Sequence, residues 1–168
     1  MSNLLDKIDR RLVIRFKPYK PKDSNCMVIP ITGYRQLQSY TCGYCCALMA
    51  SRYFVPGISS DKLYRLIGID HDGVCASGLI RGLRKTGMSV GKLYNLSFGK
   101  IRNAIDKNKL LIIGVKRDHW VLVYGYGVKP NRIFVADPSF FRQTAYNWCE
   151  FRKQVYLNEP TIVISKLK

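Results

Sequence analysis

The chain has 168 residues, 47% of them hydrophobic, which is enough for one domain with a sizeable core and too many for general disorder. Lys and Arg number 28 against 11 Asp and Glu, a formal net charge of +17. That balance points to an acidic partner (nucleic acid, an anionic membrane surface or an acidic polypeptide) or to an evenly basic, soluble surface, because the basic residues are spread along the chain. No segment approaches the about 18 consecutive apolar residues that span a bilayer.

Residues 1–25 are polar and basic, beginning with a short helical pattern (Leu4, Leu5, Ile8, Leu12) and ending in Lys17-Pro18-Tyr19-Lys20-Pro21-Lys22. They read as an amino-terminal arm or linker, leaving 26–168 as the folded domain. The amino terminus has no apolar run of signal-peptide length. Of the six Cys, two are adjacent (Cys45, Cys46) within an apolar helical pattern, which disfavours a disulfide framework. A reducing, cytoplasmic setting with free thiols is expected, with export by a signal-less route left open.

Val28-Ile29-Pro30-Ile31 reads as a short extended piece. From Cys42 the residues Cys45, Leu48, Met49 and Arg52 keep helical spacing until Pro56-Gly57, with Thr41 as the expected N-cap. Ser59-Ser60-Asp61 caps a second helix with Leu63, Leu66 and Ile67 on one face, followed by the loop Gly68-Ile69-Asp70-His71-Asp72-Gly73. Ser77 starts a third helix closed by Gly87, and Phe98 to Lys107 makes a fourth. Strands are expected over 110–116, 119–126, 132–137 and 161–164. Helices first and antiparallel strands after give an α+β layout.

A thiol in the first turn of a helix feels the positive end of the helix dipole, which favours the nucleophilic thiolate, so Cys42 is the candidate nucleophile. Gln36, six residues upstream, carries an amide that could donate to an oxyanion beside the sulfur. A cysteine nucleophile needs a base, and the chain has two histidines. His71, in a Gly/Asp loop, reads as an ordinary solvated residue. His119 opens an apolar strand, and a hairpin of 119–126 with 132–137 would make it a cross-strand neighbour of Asp137, an orienting carboxylate.

Gln36-x5-Cys42-Gly43-x2-Cys46-Ala47-Leu48-Met49 resembles the nucleophile helix of the C39 peptidase family, a branch of the papain-like cysteine peptidases. His119-Trp120-Val121-Leu122-Val123-Tyr124-Gly125 is similar to that family's histidine strand and Val135-Ala136-Asp137-Pro138 to its aspartate element. Asp72-Gly73-x4-Gly78-Leu79 resembles the loop and helix between them, so the likeness runs over roughly residues 30–140. The resemblance implies a helical subdomain packed on an antiparallel sheet, with Cys42 as nucleophile, His119 as base and acid, Asp137 as orienter and Gln36 as oxyanion donor. It implies a peptide or protein substrate, acidic if the net charge serves recognition, and no cofactor or metal. Family members often form amino-terminal domains of peptide exporters and cleave leader peptides after a double glycine; this sequence shows a basic segment in front and no transporter. A deamidase acting on side-chain amides has the same kind of core and stays open.

Other readings use the same residues. Cys42-Gly43-Tyr44-Cys45 is a C-x-x-C, but a thioredoxin-like redox pair lacks its facing Pro and strand–helix lead-in. Zinc ligation by Cys42, Cys45 and Cys46 lacks a second C-x-x-C or paired histidines. Cys45, Cys46 and Cys149 read as buried small hydrophobes. A non-enzymatic binder of nucleic acid or acidic peptide would use Arg81, Arg84, Lys85 and the 1–22 arm for charge, with Tyr19, Tyr34, Tyr40 and Tyr53 for stacking.

Overall fold

The computed structural model describes residues 13–17, 21–116, 118–140 and 144–167. The expected helix around Leu4–Leu12 lies outside them. In chain order the elements are β1 (Val13–Phe16), β2 (Cys26–Val28), β3 (Gly33–Gln36), a 3₁₀ turn (Ser39–Thr41), α1 (Cys42–Phe54), α2 (Ser60–Ile67), α3 (Ala76–Lys85), β4 (Met88–Leu93), α4 (Phe98–Asp106), β5 (Leu110–Val115), β6 (His119–Gly127), β7 (Arg132–Ala136), β8 (Thr144–Asn147), α5 (Trp148–Arg152) and β9 (Thr161–Lys166). Helices and antiparallel sheet form one α+β unit, as the residue pattern implies.

The main sheet runs β4-β9-β5-β6-β7-β8, and β2 joins the same edge of β6 beyond the end of β5. The β5–β6 and β6–β7 hairpins stand at its centre and every residue of β5 is buried. Two-sided burial accounts for the continuous apolar run Leu110–Ile113, where a half-exposed strand would alternate. One residue of β6, Tyr124, is extra in the pairing with β7, since Val123 pairs Val135 while Gly125 pairs Phe134. Such a bulge re-aims the strand next to the site.

Helix α1 is the core of the helical half: Cys42 through Ser51 are all buried, and it packs on β6 and β3. Fully burying side chains such as Leu48 and Met49 contributes on the order of 1.5–3 kcal/mol each. At its far end Arg52 donates to Tyr34 Oη (3.1 Å) and Ser60 Oγ (2.7 Å), tying β3 and α2 to the helix. Helices α2 and α3 meet at Gly82, where a Cβ would lie 2.8 Å from Ile67 Cα, so only glycine permits that approach.

Several expectations need correction. Thr41 does not cap α1: a 3₁₀ turn precedes the helix, and Thr41 Oγ1 donates instead to Gln38 O at 2.9 Å. The capping that does occur is at Ser59, whose side chain accepts from Lys62 N–H, and at Ser97, which accepts from Lys100 N–H. The third helix starts at Ala76, one residue before Ser77. Part of the segment read as an arm is a strand, β1, paired with β3 and burying Val13. The extended piece placed at 28–31 pairs as a strand over Cys26–Val28, with Ile29 N–H continuing to Tyr124 O. β4, β8 and α5 were unanticipated. Cys149, read as buried, is exposed on α5.

Candidate active site

The start of α1 and the start of β6 meet at a cleft of about 250 Å³, lined by Cys42, His119 and Trp120 among others. Cys42 is placed by the turn that precedes α1, and that turn is fixed from both sides. Gln36 N–H donates to Pro138 O at 2.9 Å, which joins β3 to the segment following β7. Gln36 Nε2 donates to Gln38 O and Ser39 O, both at 3.0 Å, closing the turn itself. Gly43, the next residue of the helix, is required by close packing: a Cβ there would lie 2.6 Å from Val74 Cγ1 and 3.0 Å from Trp120 Cδ1.

The β6–β7 hairpin sets the partner groups. Leu122 pairs with Ala136, so the first residues of β6 run alongside the chain leaving β7. His119 Nε2 stands 2.7 Å from Asp137 Oδ1, and Ser139 N–H donates to the same carboxylate oxygen at 2.8 Å. The Cys42 side chain lines the same cleft as this imidazole. With Nε2 engaged by Asp137, Nδ1 is the ring nitrogen left for sulfur, and the carboxylate fixes that tautomer.

The electrostatics follow from this geometry. Burial alone would disfavour the His119 imidazolium, but the hydrogen bond to Asp137 and the influence of the Cys42 side chain outweigh it and raise the pKa to about 9. Burial alone would raise Asp137, and the bonds from His119 and Ser139 N–H outweigh that too, leaving its pKa below the usual carboxylate value. The two other thiols of the helix behave differently. Cys45 and Cys46 are fully buried, and burial drives both upward, away from the thiolate. Cys46 donates to Trp120 O at 3.4 Å, so it acts as a packing group and weak donor. Cys45 faces the interior, which removes the second thiol of the C-x-x-C spacing from reaction. All six thiols are free.

Of the residues singled out from sequence, Cys42, His119 and Asp137 come together. Gln36 lies on the strand leading into the same turn, but its amide N–H groups are spent on Gln38 and Ser39 while its Oε1 is buried without a partner. His71 stacks edge-on against Tyr40 at 5.2 Å between ring centroids, away from Asp137. Reading by sequence missed the residues that shape the cleft. Trp120 Nε1 donates to Val74 O at 2.9 Å, pinning the 70–75 loop to β6; an indole N–H beside a buried histidine strand was a signal that it needs a fixed acceptor. Cys75 is exposed on the cleft wall, 3.0 Å from Ser77 Oγ, and that bond together with the Gly78 N–H lowers its pKa.

A model of the peptidase C39 family matches residues 31–155. Among solved structures, the peptidase domain of Streptococcus ComA, a bifunctional ABC transporter involved in quorum sensing, superposes with a TM-score of 0.63 at 17% identity. It covers 79% of this chain and 96% of that one. A double glycine motif protease from an AMS/PCAT transporter, solved with its leader peptide, gives 0.62 at 18% identity, covering 92% and 99%. The N-terminal peptidase C39-like domain of the toxin secretion ATP-binding protein from Vibrio parahaemolyticus gives 0.57 at 11%, covering 75% and 97%. No curated protein sequence matches. At these identities the solved structures speak to the fold.

Proposed function

Because this chain belongs to the peptidase C39 family and shares its papain-like fold, we propose that it is a cysteine peptidase whose nucleophile is Cys42, whose base and acid is His119 and whose orienting group is Asp137. The observation that carries this reading is one imidazole bonded on Nε2 to Asp137 at 2.7 Å and lining the same cleft as the Cys42 side chain. It is the nucleophile–base–orienter arrangement that covalent catalysis requires.

The chemistry follows from these groups. The Cys42 proton passes to His119, and Sγ attacks the carbonyl carbon of a peptide bond, forming a C–S bond and an oxyanion. His119 returns the proton to the leaving amine as the C–N bond breaks, leaving a thioester on Cys42. Water, deprotonated by His119, attacks the thioester; the C–S bond breaks, the product leaves as a carboxylate, and the thiol recovers its proton. Asp137 holds the ring and stabilises its imidazolium form throughout. The oxyanion is met by the Cys42 backbone N–H and by Gln36 Nε2, which must release Gln38 O or Ser39 O to reach it.

The test is mass spectrometry of a peptide library after incubation with the protein and with Cys42→Ala. New fragments made by the wild type and absent with Cys42→Ala support the peptidase. Side-chain mass changes in uncut peptides would replace it with an amide-modifying enzyme, and fragments that persist with Cys42→Ala would remove Cys42 from the mechanism.

A further inference from the structure

The protein as a whole is strongly basic, yet the cleft is not. Among its described lining residues stand three carboxylates, Asp72, Asp118 and Glu159, against one lysine, Lys116. Carboxylates are scarce in this chain, and most of those described are already engaged. Asp23 pairs with Arg132, Asp61 with Arg65, Glu150 with Lys153 and Asp137 with His119, while Asp106 accepts from Tyr126 Oη. The ones left with no ion pair among the described residues are Asp70, Asp72, Asp106, Asp118 and Glu159. Three of these five line the cleft that holds Cys42 and His119.

In a chain with 28 Lys and Arg, acids with no ion pair among the described residues would not be expected to gather at one cavity without a role there. Asp72 and Glu159 lie in or next to segments held by hydrogen bonds. Asp72 lies in the loop closed by paired hydrogen bonds between Asp70 and Gly73 and pinned by Trp120. Glu159 follows a segment tied to β5 by Lys116 N–H to Gln154 O (2.7 Å) and Tyr156 N–H to Gly114 O (2.9 Å). Asp118 immediately precedes the base. A concave surface in which one sign of charge predominates between low-dielectric walls focuses the field and concentrates ions of the other sign.

We infer that the cleft selects a substrate carrying a cationic side chain next to the scissile bond, with Asp72, Asp118 and Glu159 as the specificity-determining residues. The part concerning the scissile bond rests on the peptidase reading above; the charge selectivity of the cleft does not. Like charges are rejected for the same reason, because an anionic side chain there meets three carboxylates. The excess of basic surface then lies outside the cleft and does not choose the residue that is cut.

The experiment uses Cys75, exposed on the cleft wall, as a reporter and Cys149, exposed on α5, as the control. The full chain is treated with limiting cationic (trimethylammonium-ethyl) or anionic (sulfonatoethyl) methanethiosulfonate, and labelling is read site by site by mass spectrometry. The cation-to-anion rate ratio at Cys75 is expected to exceed that at Cys149 by roughly tenfold or more. It should fall toward the control in the Asp72→Asn, Asp118→Asn, Glu159→Gln variant, whose isosteric changes keep the fold. Equal ratios at the two thiols, or a ratio at Cys75 unmoved in that variant, would overturn the inference. A second arm compares cleavage of matched peptides with Lys, norleucine or Glu beside the bond that is cut. Lys favoured in kcat/KM and the preference lost in the triple variant support the inference; Glu favoured or no preference defeats it. Charge selectivity at Cys75 with no Cys42-dependent cleavage would sink the peptidase reading alone, and cleavage without selectivity would sink this inference alone.

Discussion

Of the two walls of the cleft, the one built from β6 and β7 holds its groups through a backbone ladder. The other, built from 72–75, Lys116, Asp118 and 154–159, is held by a few long-range hydrogen bonds. His119 and Asp137 inherit their 2.7 Å contact from strand register, fixed over five residue pairs of the hairpin. Asp72, Cys75 and Glu159 depend on Trp120 Nε1 to Val74 O, on Tyr156 N–H to Gly114 O and on Lys116 N–H to Gln154 O. A ladder that is buried on both faces cannot slip without turning core residues to solvent, whereas a loop bond can be lost singly. The proposed base and orienter therefore sit on the rigid wall, with the proposed nucleophile on α1, and the groups proposed for selection sit on the adjustable wall.

Changes on the rigid wall and at Cys42 should be the costliest. Cys42→Ala and His119→Ala are expected to bring turnover to background because the three groups act as a unit, with a urea midpoint close to wild type for Cys42→Ala and a lower one for His119→Ala, which leaves Asp137 without its partner. If either variant kept substantial activity, the division between the walls would collapse. Asp137→Asn keeps the shape but removes the charge that orients and stabilises the imidazolium, and kcat should fall by roughly 10²-fold or more.

The same substitution sharpens the comparison through pH. His119 must be protonated to deliver a proton to the leaving amine, and its folded-state pKa is raised from 6.5 to about 9. Activity should therefore decline on the alkaline side with a midpoint near 9, moving to lower pH in Asp137→Asn. Stability carries the same sign. The contribution of this imidazolium is fully present below about 6.5 and is lost as pH rises through about 9. Asp137 works the other way: its depressed pKa gives stability present above its ordinary 3.8 and lost as pH falls through the lower folded value. Denaturant titrations across the alkaline range, on wild type and Asp137→Asn, would show a flattened slope in the variant.

Gln36 sits between the walls. As an oxyanion donor it should cost roughly 10²–10³ in kcat when changed to Ala. As only a clamp on the turn before α1, its loss should instead lower the thermal midpoint with little change in kcat for the molecules that stay folded. The smallest effect is expected at Trp120→Phe, which removes one hydrogen bond to the loop at a cost of about 0.5–1.5 kcal/mol. Loosening the adjustable wall should raise KM while kcat changes little.

The same contrast governs how much could be read from the chain. The continuous apolar run at Leu110–Ile113, the hairpin around residues 128–131 and the helical spacing from Cys42 are local patterns, and each produced the element that it predicts. The approach of His119 to Asp137 followed because hairpin register is itself local. β4 escaped notice because Met88-Ser89-Val90 is a brief alternation broken by Gly91 and Lys92, and it becomes a strand only through pairing with β9, more than seventy residues later in sequence for Met88 against Lys166. Thr41 looked like a cap, yet its hydroxyl found Gln38 O once the 3₁₀ turn formed. The Gln36 amide lay in the right place along the chain, but which carbonyls it would meet depended on the fold of that turn. The acidic cleft was illegible for the same reason: Asp72, Asp118 and Glu159 are far apart in sequence and ordinary in composition, and only tertiary structure sets them around one cavity.

The most direct test of the central claim uses the two thiols that share the cleft. Cys75 owes its lowered pKa to Ser77 and Gly78, whereas Cys42 is coupled to His119. Limiting iodoacetamide near neutral pH, with site-resolved labelling in wild type and His119→Ala, separates the two. The rate at Cys42 should drop steeply in the variant while the rate at Cys75 stays as it was. An unchanged rate at Cys42 would mean that His119 does not activate this sulfur, and the proposed nucleophile–base pair would be wrong.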